Sequence, residues 1–218
     1  MNKKRGRPAG ETRQRIVEAA LDTLKRDGFA GATSRAIARA GGFNQALIFY
    51  HFGSLDRLLL AALDHTSAQR LERYRRAVED ADTVEELLSV AVGIHAEDRE
   101  TGHTTVVAQM IAGSVARPEL APEMIARMEP WIDLCEAALV KGFARVGLTA
   151  PLPTRDIAYA VATFYLGVNL LTHLDERRRI DNLFRQVEEL APIASALAEQ
   201  IAPALSALSE GLTQRRGR

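Results

Sequence analysis

The sequence has few of the features that mark secreted or membrane proteins. Its single cysteine, Cys135, excludes an internal disulfide and fits a reducing compartment. No apolar run reaches the ~18 residues of a membrane-spanning helix. The N-terminal segment also lacks the apolar centre of a secretory signal. We therefore expect a cytoplasmic protein with no membrane partner.

Motifs that carry catalysis are also absent from the sequence. It has no glycine-rich phosphate loop, no Cys/His metal-ligand spacing and no Gly-x-Ser-x-Gly turn. His95, Glu97 and Asp98 offer a base and two carboxylates, but neighbours one or two apart on a helix point in different directions. We expect no enzyme, no cofactor and no metal site.

Charge is divided unevenly along a chain whose formal net charge is zero. Residues 1–50 hold ten Lys or Arg residues against four acids, and the remaining residues carry the balancing excess of acids. Any polyanionic partner is therefore expected at the N-terminal end. Within the basic arm of residues 1–10, Arg5 and Arg7 suit a narrow minor groove of DNA. A merely solvated basic tail is the alternative.

Apolar spacing with Gly and Pro punctuation predicts an all-α protein of about nine helices. Two short helices fall within residues 33–52, and the longer helices are predicted at residues 12–27, 55–79, 83–100, 103–116, 122–146, 154–176 and 184–212. This order indicates a three-helix N-terminal domain over residues 11–53 and a larger helical domain over residues 54–218.

Residues 33–52 have the pattern of a helix-turn-helix. Thr33 or Ser34 caps a first helix, because a hydroxyl accepts from a free backbone N–H at a helix start. Gly41 and Gly42 end that helix, and Asn44 caps the second. Two short helices joined by a glycine-containing turn form the unit whose second helix lies in a DNA major groove.

The second short helix has two distinct faces. At 100° per residue, Ile48 and Phe52 lie on a side suited to packing inward. The outward arc contains Gln45, Ala46, Phe49 and Tyr50. An outward aromatic pair suits a surface that contacts base edges and sugar-phosphate. A purely structural helical bundle is the alternative.

These motifs make residues 11–60 resemble the tetracycline-repressor (TetR) family of transcriptional regulators. The family pattern is Thr, three residues, Ile-Ala, then Ala-Gly-Val, a polar cap, and Leu-Tyr-x-His-Phe. The matching residues are Thr33, Ile37-Ala38, Gly41-Gly42-Phe43, Asn44 and Ile48-Phe49-Tyr50-His51-Phe52. The resemblance implies a homodimeric repressor that binds a palindromic double-stranded DNA operator and is released by a small-molecule effector. The alternative is a helical interaction protein with the same fold that has lost specific DNA binding.

The resemblance also implies which residues contact DNA. Base or sugar contacts are expected from the four outward residues Gln45, Ala46, Phe49 and Tyr50. Phosphate contacts are expected from Thr33, Ser34, Arg35 and His51, although His51 could instead be a half-buried packing residue.

Two of the departures from the family pattern affect expected phosphate contacts. Phe49 stands where a phosphate-bonding Tyr is usual, and Leu55 stands where a Lys often contacts a phosphate. Both changes should weaken binding to the DNA backbone. Tyr50 and the basic arm offer replacements.

The resemblance implies that residues 54–218 form a ligand-binding and dimerisation domain, which pairs through the last two long helices. Residues 154–176 are apolar on nearly every side, as expected for a helix buried in its own subunit and in a partner. A monomer with a thick core is the alternative.

A pocket needs apolar walls with a few polar groups. The candidate pocket residues are His95, Met110, Met128, Trp131, Phe164, Tyr165 and Asn169. This composition suggests a hydrophobic or aromatic ligand. Each of these residues also has an ordinary role as core or hydrogen-bonded structure.

Overall fold

The fold was established from a computed structural model of the chain. The model describes residues 9–147, 150, 152–172 and the scattered positions 182, 185, 186, 189, 192, 193, 196 and 200. The predicted arm with Arg5 and Arg7, and most of the predicted helix at 184–212, lie outside the described residues. The described part is all-α, as the sequence predicts, and no strand occurs within it.

Eight α-helices and one 3₁₀ turn make up the described chain. The α-helices are α1 (Ala9–Gly31), α2 (Ser34–Gly41), α3 (Ala46–Phe52), α4 (Leu55–Asp80), α5 (Val84–Thr101), α6 (His103–Ala116), α7 (Ala121–Arg145) and α8 (Thr154–Thr172). The 3₁₀ turn, Pro118–Leu120, was not predicted from the sequence.

Local signals explain several helix boundaries. Gly28 interrupts α1 with φ 71°, a conformation that favours glycine. Thr83 Oγ1 accepts from the Glu86 backbone N–H at 3.2 Å, and the Glu86 carboxylate accepts from the Thr83 N–H at 3.0 Å. This reciprocal pair is a capping box at the start of α5. Because backbone N–H groups bind the carboxylate, the pKa of Glu86 is lowered.

The chain divides into two compact units. The first contains residues 1–70 and 101–128, and the second contains residues 71–100 and 129–218. Helices α4 and α7 each contribute residues to both units. The functional boundary expected at residue 53 or 54 stays a prediction.

The first unit has one large apolar core. Helix α1 packs against α2 and α6. The fully buried side chains at its centre include Ile16, Leu24, Ile37, Ile48, Leu58, Leu59, Val106 and Met110. This core holds the helix-turn-helix against α6, a helix that follows it by some fifty residues of sequence.

Helix α6 is docked onto the end of α1 by a specific contact. The Phe29 backbone N–H donates to Gln109 Oε1 at 2.9 Å, and a Cβ at Gly113 would lie 2.4 Å from the Phe29 ring. The Arg117 guanidinium also lies against the Phe29 ring, with its Cζ 5.2 Å from the ring centroid. The absence of a side chain at Gly113 is what admits the ring.

The second unit has a smaller apolar cluster, built around Tyr74, Val78, Ala81, Leu87 and Leu134, with Trp131 packed against it. Tyr74 Oη donates to the Gly93 carbonyl at 3.1 Å. Lys141 Nζ donates to the Val78 carbonyl at 3.0 Å, which stabilises the C-terminal end of α4.

Within the described residues, no single helix is both long and apolar enough to cross a membrane. Helices α3 and α4 meet that condition only when taken together across a 69° bend.

Candidate functional site: a DNA-reading surface and a buried polar cluster

The turn between α2 and α3 is shaped by two glycines and one aromatic ring. Thr33 Oγ1 accepts from the Ala36 N–H at 3.2 Å and caps α2, as predicted. Gly42 ends α2 with φ 63°. Phe43 then folds back over Gly41, because a Cβ built at Gly41 would lie 2.2 Å from the Phe43 ring. The Phe43 ring therefore fits in this position because residue 41 has no side chain.

Helix α3 begins with the predicted cap. Asn44 Oδ1 accepts from the Ala46 N–H at 2.8 Å, which satisfies one of the free donors at the helix start. Ile48 and Phe52 are buried in the first unit's core, so they fix the rotation of the helix.

Another side of the short helix α3 is open. Gln45 and Ala46 are exposed, Phe49 is 47% exposed and Tyr50 is 82% exposed. We call Gln45, Ala46, Phe49 and Tyr50 the reading face. It presents an amide, a methyl group, an aromatic ring and a phenol on one side of one short helix, as the 100° step predicts.

The expected phosphate contacts differ in exposure. Thr33 and Arg35 are exposed, whereas Ser34 and His51 are half-buried. The His51 ring packs edge-on against Tyr50, with centroids 5.0 Å apart, and lies 6.5 Å from the Phe52 ring. His51 is thus half-buried between its two aromatic neighbours, and a packing role for it stays a prediction. Its contact with phosphate also stays a prediction.

Leu55 has a structural use at the start of α4. It is partly buried and packs against the core of the first unit. The position that carries a Lys in the family pattern therefore contributes apolar packing here.

A second candidate site is a group of buried polar side chains in the second unit. Tyr165 Oη donates to Asp98 Oδ2 at 2.6 Å, and Asn169 Nδ2 donates to the Tyr165 carbonyl at 2.8 Å. The His95 ring lies edge-on to Tyr165, with centroids 6.3 Å apart. We call His95, Asp98, Tyr165 and Asn169 the polar cluster.

The polar cluster joins three predicted pocket residues and adds one that sequence reasoning missed. Asp98 is only 3% exposed. From the sequence alone, Asp98 is a candidate only as a catalytic carboxylate beside Glu97. In the structure the Glu97 carboxylate accepts from Arg73 and the Tyr74 hydroxyl. The useful signal was the distance of Asp98 from His95, since residues three apart share a helix face.

The other predicted pocket residues do not join the polar cluster. Met110 is fully buried in the core of the first unit, and Met128 also belongs to that unit. Trp131 packs against the apolar cluster of the second unit. Phe164 is 63% exposed, so its expected place as a pocket wall is wrong for this chain taken alone. A helix that is apolar on nearly every side gave no periodic signal to choose its inward face.

The described residues contain no group of three or more His, Cys, Asp or Glu side chains placed to hold a metal ion. Burial raises the pKa of the Cys135 thiol, which disfavours its nucleophilic form.

Comparison with known proteins supports the DNA-reading interpretation. Residues 16–62, which include all of α2 and α3, match the family model described as bacterial regulatory proteins, tetR family. The HTH-type transcriptional regulator RutR of Escherichia coli (strain K12) is 24% identical over 161 residues, covering 72% of this chain and 74% of RutR. These regulators are not enzymes, which agrees with the expectation for this chain.

Solved structures share the fold. The fatty acid degradation regulator FadR from Bacillus halodurans superposes with a TM-score of 0.67 at 20% identity, covering 87% of this chain and 96% of FadR. The multidrug binding protein EbrR, solved in complex with imidazole, gives a TM-score of 0.57 at 28% identity, covering 82% of this chain and 88% of EbrR.

Proposed function

We propose that the chain is a TetR-family transcriptional regulator, specifically a homodimeric repressor that leaves its operator when a small hydrophobic or aromatic ligand binds. The reading face of α3 is the observation that carries the DNA-binding part. Its four side chains are exposed, while Ile48 and Phe52 of the same helix are buried and anchor it.

The chemistry of the reading face suits a major groove. The Gln45 amide can pair with both the acceptor and the donor of an adenine edge, and the Ala46 methyl suits a thymine methyl. The exposed rings of Phe49 and Tyr50 suit sugar and methyl surfaces, and the Tyr50 hydroxyl can donate to a phosphate. Residues of the basic arm, Arg5 and Arg7, would add minor-groove contacts.

The polar cluster supports the ligand-binding part of the proposal. Buried polar groups inside a helical unit orient a ligand whose remaining surface is apolar. EbrR is described as a multidrug binding protein and was solved with an aromatic heterocycle, imidazole. We therefore infer that the effector is a largely apolar or aromatic molecule with at least one hydrogen-bonding group.

Release of DNA follows from geometry. Two reading helices of a dimer must reach successive major grooves about 34–36 Å apart. Helix α4 begins directly after α3 and contributes residues to both units. A ligand that binds more tightly to a conformation in which the two reading helices have a different separation increases the population of that conformation. The increase is set by the ligand's difference in affinity, and the operator is released.

The DNA-binding part is tested by selecting duplexes from a random pool and measuring binding by fluorescence anisotropy across a salt series. Gln45→Ala should reduce discrimination at one base position by about 1–3 kcal/mol, because a bidentate contact is lost. Gln69→Ala is the matched control, since Gln69 is an exposed glutamine on α4. Absence of any enriched sequence with the wild-type protein would refute the proposal.

The ligand-binding part can be followed with the chain's single tryptophan, Trp131, which packs within the same unit as the polar cluster. A panel of aromatic compounds that includes imidazole is titrated while Trp131 emission and DNA anisotropy are recorded. We expect compounds that change the emission to release DNA, and Tyr165→Phe to weaken both effects. Ligands that change the emission while DNA stays fully bound would contradict the repressor mechanism.

A further inference from the structure

Two arginine side chains from different helices lie against the end of the reading helix. The Arg13 guanidinium, from α1, is stacked on the Phe52 ring with its Cζ 4.8 Å from the ring centroid. The Arg57 guanidinium, from α4, folds back towards Gly53, because a Cβ built there would lie 3.7 Å from Arg57 Nη1. The two cations therefore flank consecutive residues where α3 ends.

The backbone at this junction holds Arg57 in place. Gly53 adopts φ 77° and donates its N–H to the Phe49 carbonyl at 2.9 Å, which closes α3. Ser54 Oγ then accepts from the Arg57 N–H at 3.2 Å and caps α4. Arg57 thus lies in the first turn of α4, where a helical side chain points back towards the N-terminus.

Neither guanidinium is neutralised by a carboxylate among the described residues. Within the described part of the chain, no carboxylate forms an ion pair with Arg13 or Arg57, and both side chains are exposed. Asp56, the acid next to Arg57 in the sequence, is paired with Arg117. Both arginines keep several N–H donors for an outside anion.

We propose that Arg13 and Arg57 bind a DNA backbone phosphate beside the end of α3, in place of the lysine whose position Leu55 occupies. The inference rests on the proposed DNA-binding function. Leu55 faces the apolar core of the first unit, so its position no longer supplies a cation to DNA. Arg57, two residues further along α4, supplies the positive charge that Leu55 lacks. Its planar guanidinium matches two phosphate oxygens better than an ammonium does.

Arg13 has a second part in this contact. Its guanidinium rests on Phe52, a buried anchor of α3, so it is positioned by the same residue that fixes the rotation of the reading helix. A phosphate bound by Arg13 and Arg57 would therefore set the depth and register of α3 in the groove, as backbone contacts do in protein–DNA complexes generally.

The test uses full-length protein and a fluorescein-labelled duplex enriched from a random pool by the wild type, beside a scrambled duplex of the same composition. Affinities of wild type, Arg57→Ala, Arg57→Lys and Arg13→Ala are measured across a salt series. Arg76→Ala is the matched control, because Arg76 is an exposed arginine on the later part of α4 that pairs only with Glu72 on its own helix. Circular dichroism and thermal melting establish that each variant is folded.

Arg57→Ala and Arg13→Ala should weaken binding to the enriched and the scrambled duplex by the same factor. Each should flatten the plot of log affinity against log salt by about 0.9 per lost phosphate contact, or about two for a dimer. Arg57→Lys should keep most of the slope, and Arg76→Ala should leave it unchanged. Adding Leu55→Lys to Arg57→Ala should restore the slope.

The possible results separate the inference from the function on which it rests. If the wild type enriches no sequence, the proposed function fails. If it does, but folded Arg57→Ala keeps the wild-type slope, the phosphate assignment is overturned. Weakened binding to the enriched duplex alone would identify Arg57 as a base-reading residue and overturn it as well. A slope that Leu55→Lys does not restore would refute the claim that the two positions serve the same phosphate.

Discussion

At the scale of single residues, the turn of the helix-turn-helix shows two positions whose identities depend on each other. The family pattern has Ala-Gly-Val where this chain has Gly41-Gly42-Phe43. The Phe43 ring occupies the space that a Cβ at position 41 would need. Arg15 adds to this arrangement, with its Cζ 5.6 Å from the Phe43 ring centroid. The departure at 43 is therefore accommodated by the departure at 41.

Gly41→Ala should be destabilising, because its new Cβ would lie 2.2 Å from the Phe43 ring and 2.9 Å from the Ala19 Cβ. Overpacking of this kind costs about 1–3 kcal/mol. The double variant Gly41→Ala/Phe43→Val should recover most of the loss. Thermal melting and DNA affinity of the two variants check this, and a double variant no more stable than Gly41→Ala would contradict the coupling.

Cys135 gives a second prediction at this scale. Since burial raises the pKa of its thiol, less thiolate exists at neutral pH than for a free cysteine. Alkylation by iodoacetamide should be several-fold slower in native protein than in unfolded protein. Its rate should still be rising at a pH above the ordinary thiol value of 9.0. Equal rates in the two states would show that the thiol is accessible.

At the scale of elements, the best-predicted helices are those with local signals at both ends. Helix α6 follows Gly102, which adopts φ 66°, and ends before Pro118. Helix α5 starts at its capping box. Which side of a uniformly apolar helix such as α8 faces inward cannot be predicted from the sequence, because apolar residues recur on every side. The position of Met110 in the core of the first unit could not be predicted, because it depends on the docking of α6 onto α1. That docking involves a contact between residues 80 apart, which leaves no local pattern in the sequence.

The capping box of α5 should contribute to stability in a pH-dependent way. The pKa of Glu86 is lowered by backbone N–H donors, so its stabilising effect is present above the ordinary value of 4.5 and is lost as pH falls below it. Thr83→Ala should cost about 1 kcal/mol at neutral pH, as loss of an N-cap generally does. Glu86→Gln should lower the melting temperature at neutral pH and lessen its fall under acid. An identical pH profile in Glu86→Gln and wild type would refute this role for Glu86.

At the scale of the whole molecule, the proposed dimer depends on α8. Several large apolar side chains on this helix are exposed in the single chain, namely Tyr159, Val161, Phe164, Leu170 and Leu171. Large exposed apolar side chains gathered on one helix are typical of a surface that meets a partner. The exposure of Phe164 removes it from the polar cluster and supports its use between subunits. The last predicted helix, the expected second part of that interface, lies outside the described residues.

Phe164→Glu should dissociate the dimer, because a carboxylate would be buried without a partner in an apolar interface. Ile125→Glu is the matched control: Ile125 is 59% exposed, against 63% for Phe164, but it lies on α7 in the first unit. Sedimentation equilibrium measures both. We expect the Phe164 variant to lose high-affinity DNA binding together with dimerisation. A Phe164→Glu protein that stays dimeric would place the interface elsewhere.

The bond between the Phe29 N–H and Gln109 Oε1 has a consequence for dynamics. This amide belongs to the end of α1, yet the acceptor that holds it comes from the middle of α6. Its hydrogen–deuterium exchange therefore reports how often α6 lifts away from the helix-turn-helix, without any label added to the protein. Comparing that one exchange rate in free, DNA-bound and effector-bound protein would measure the free energy that couples α6 to the reading helix.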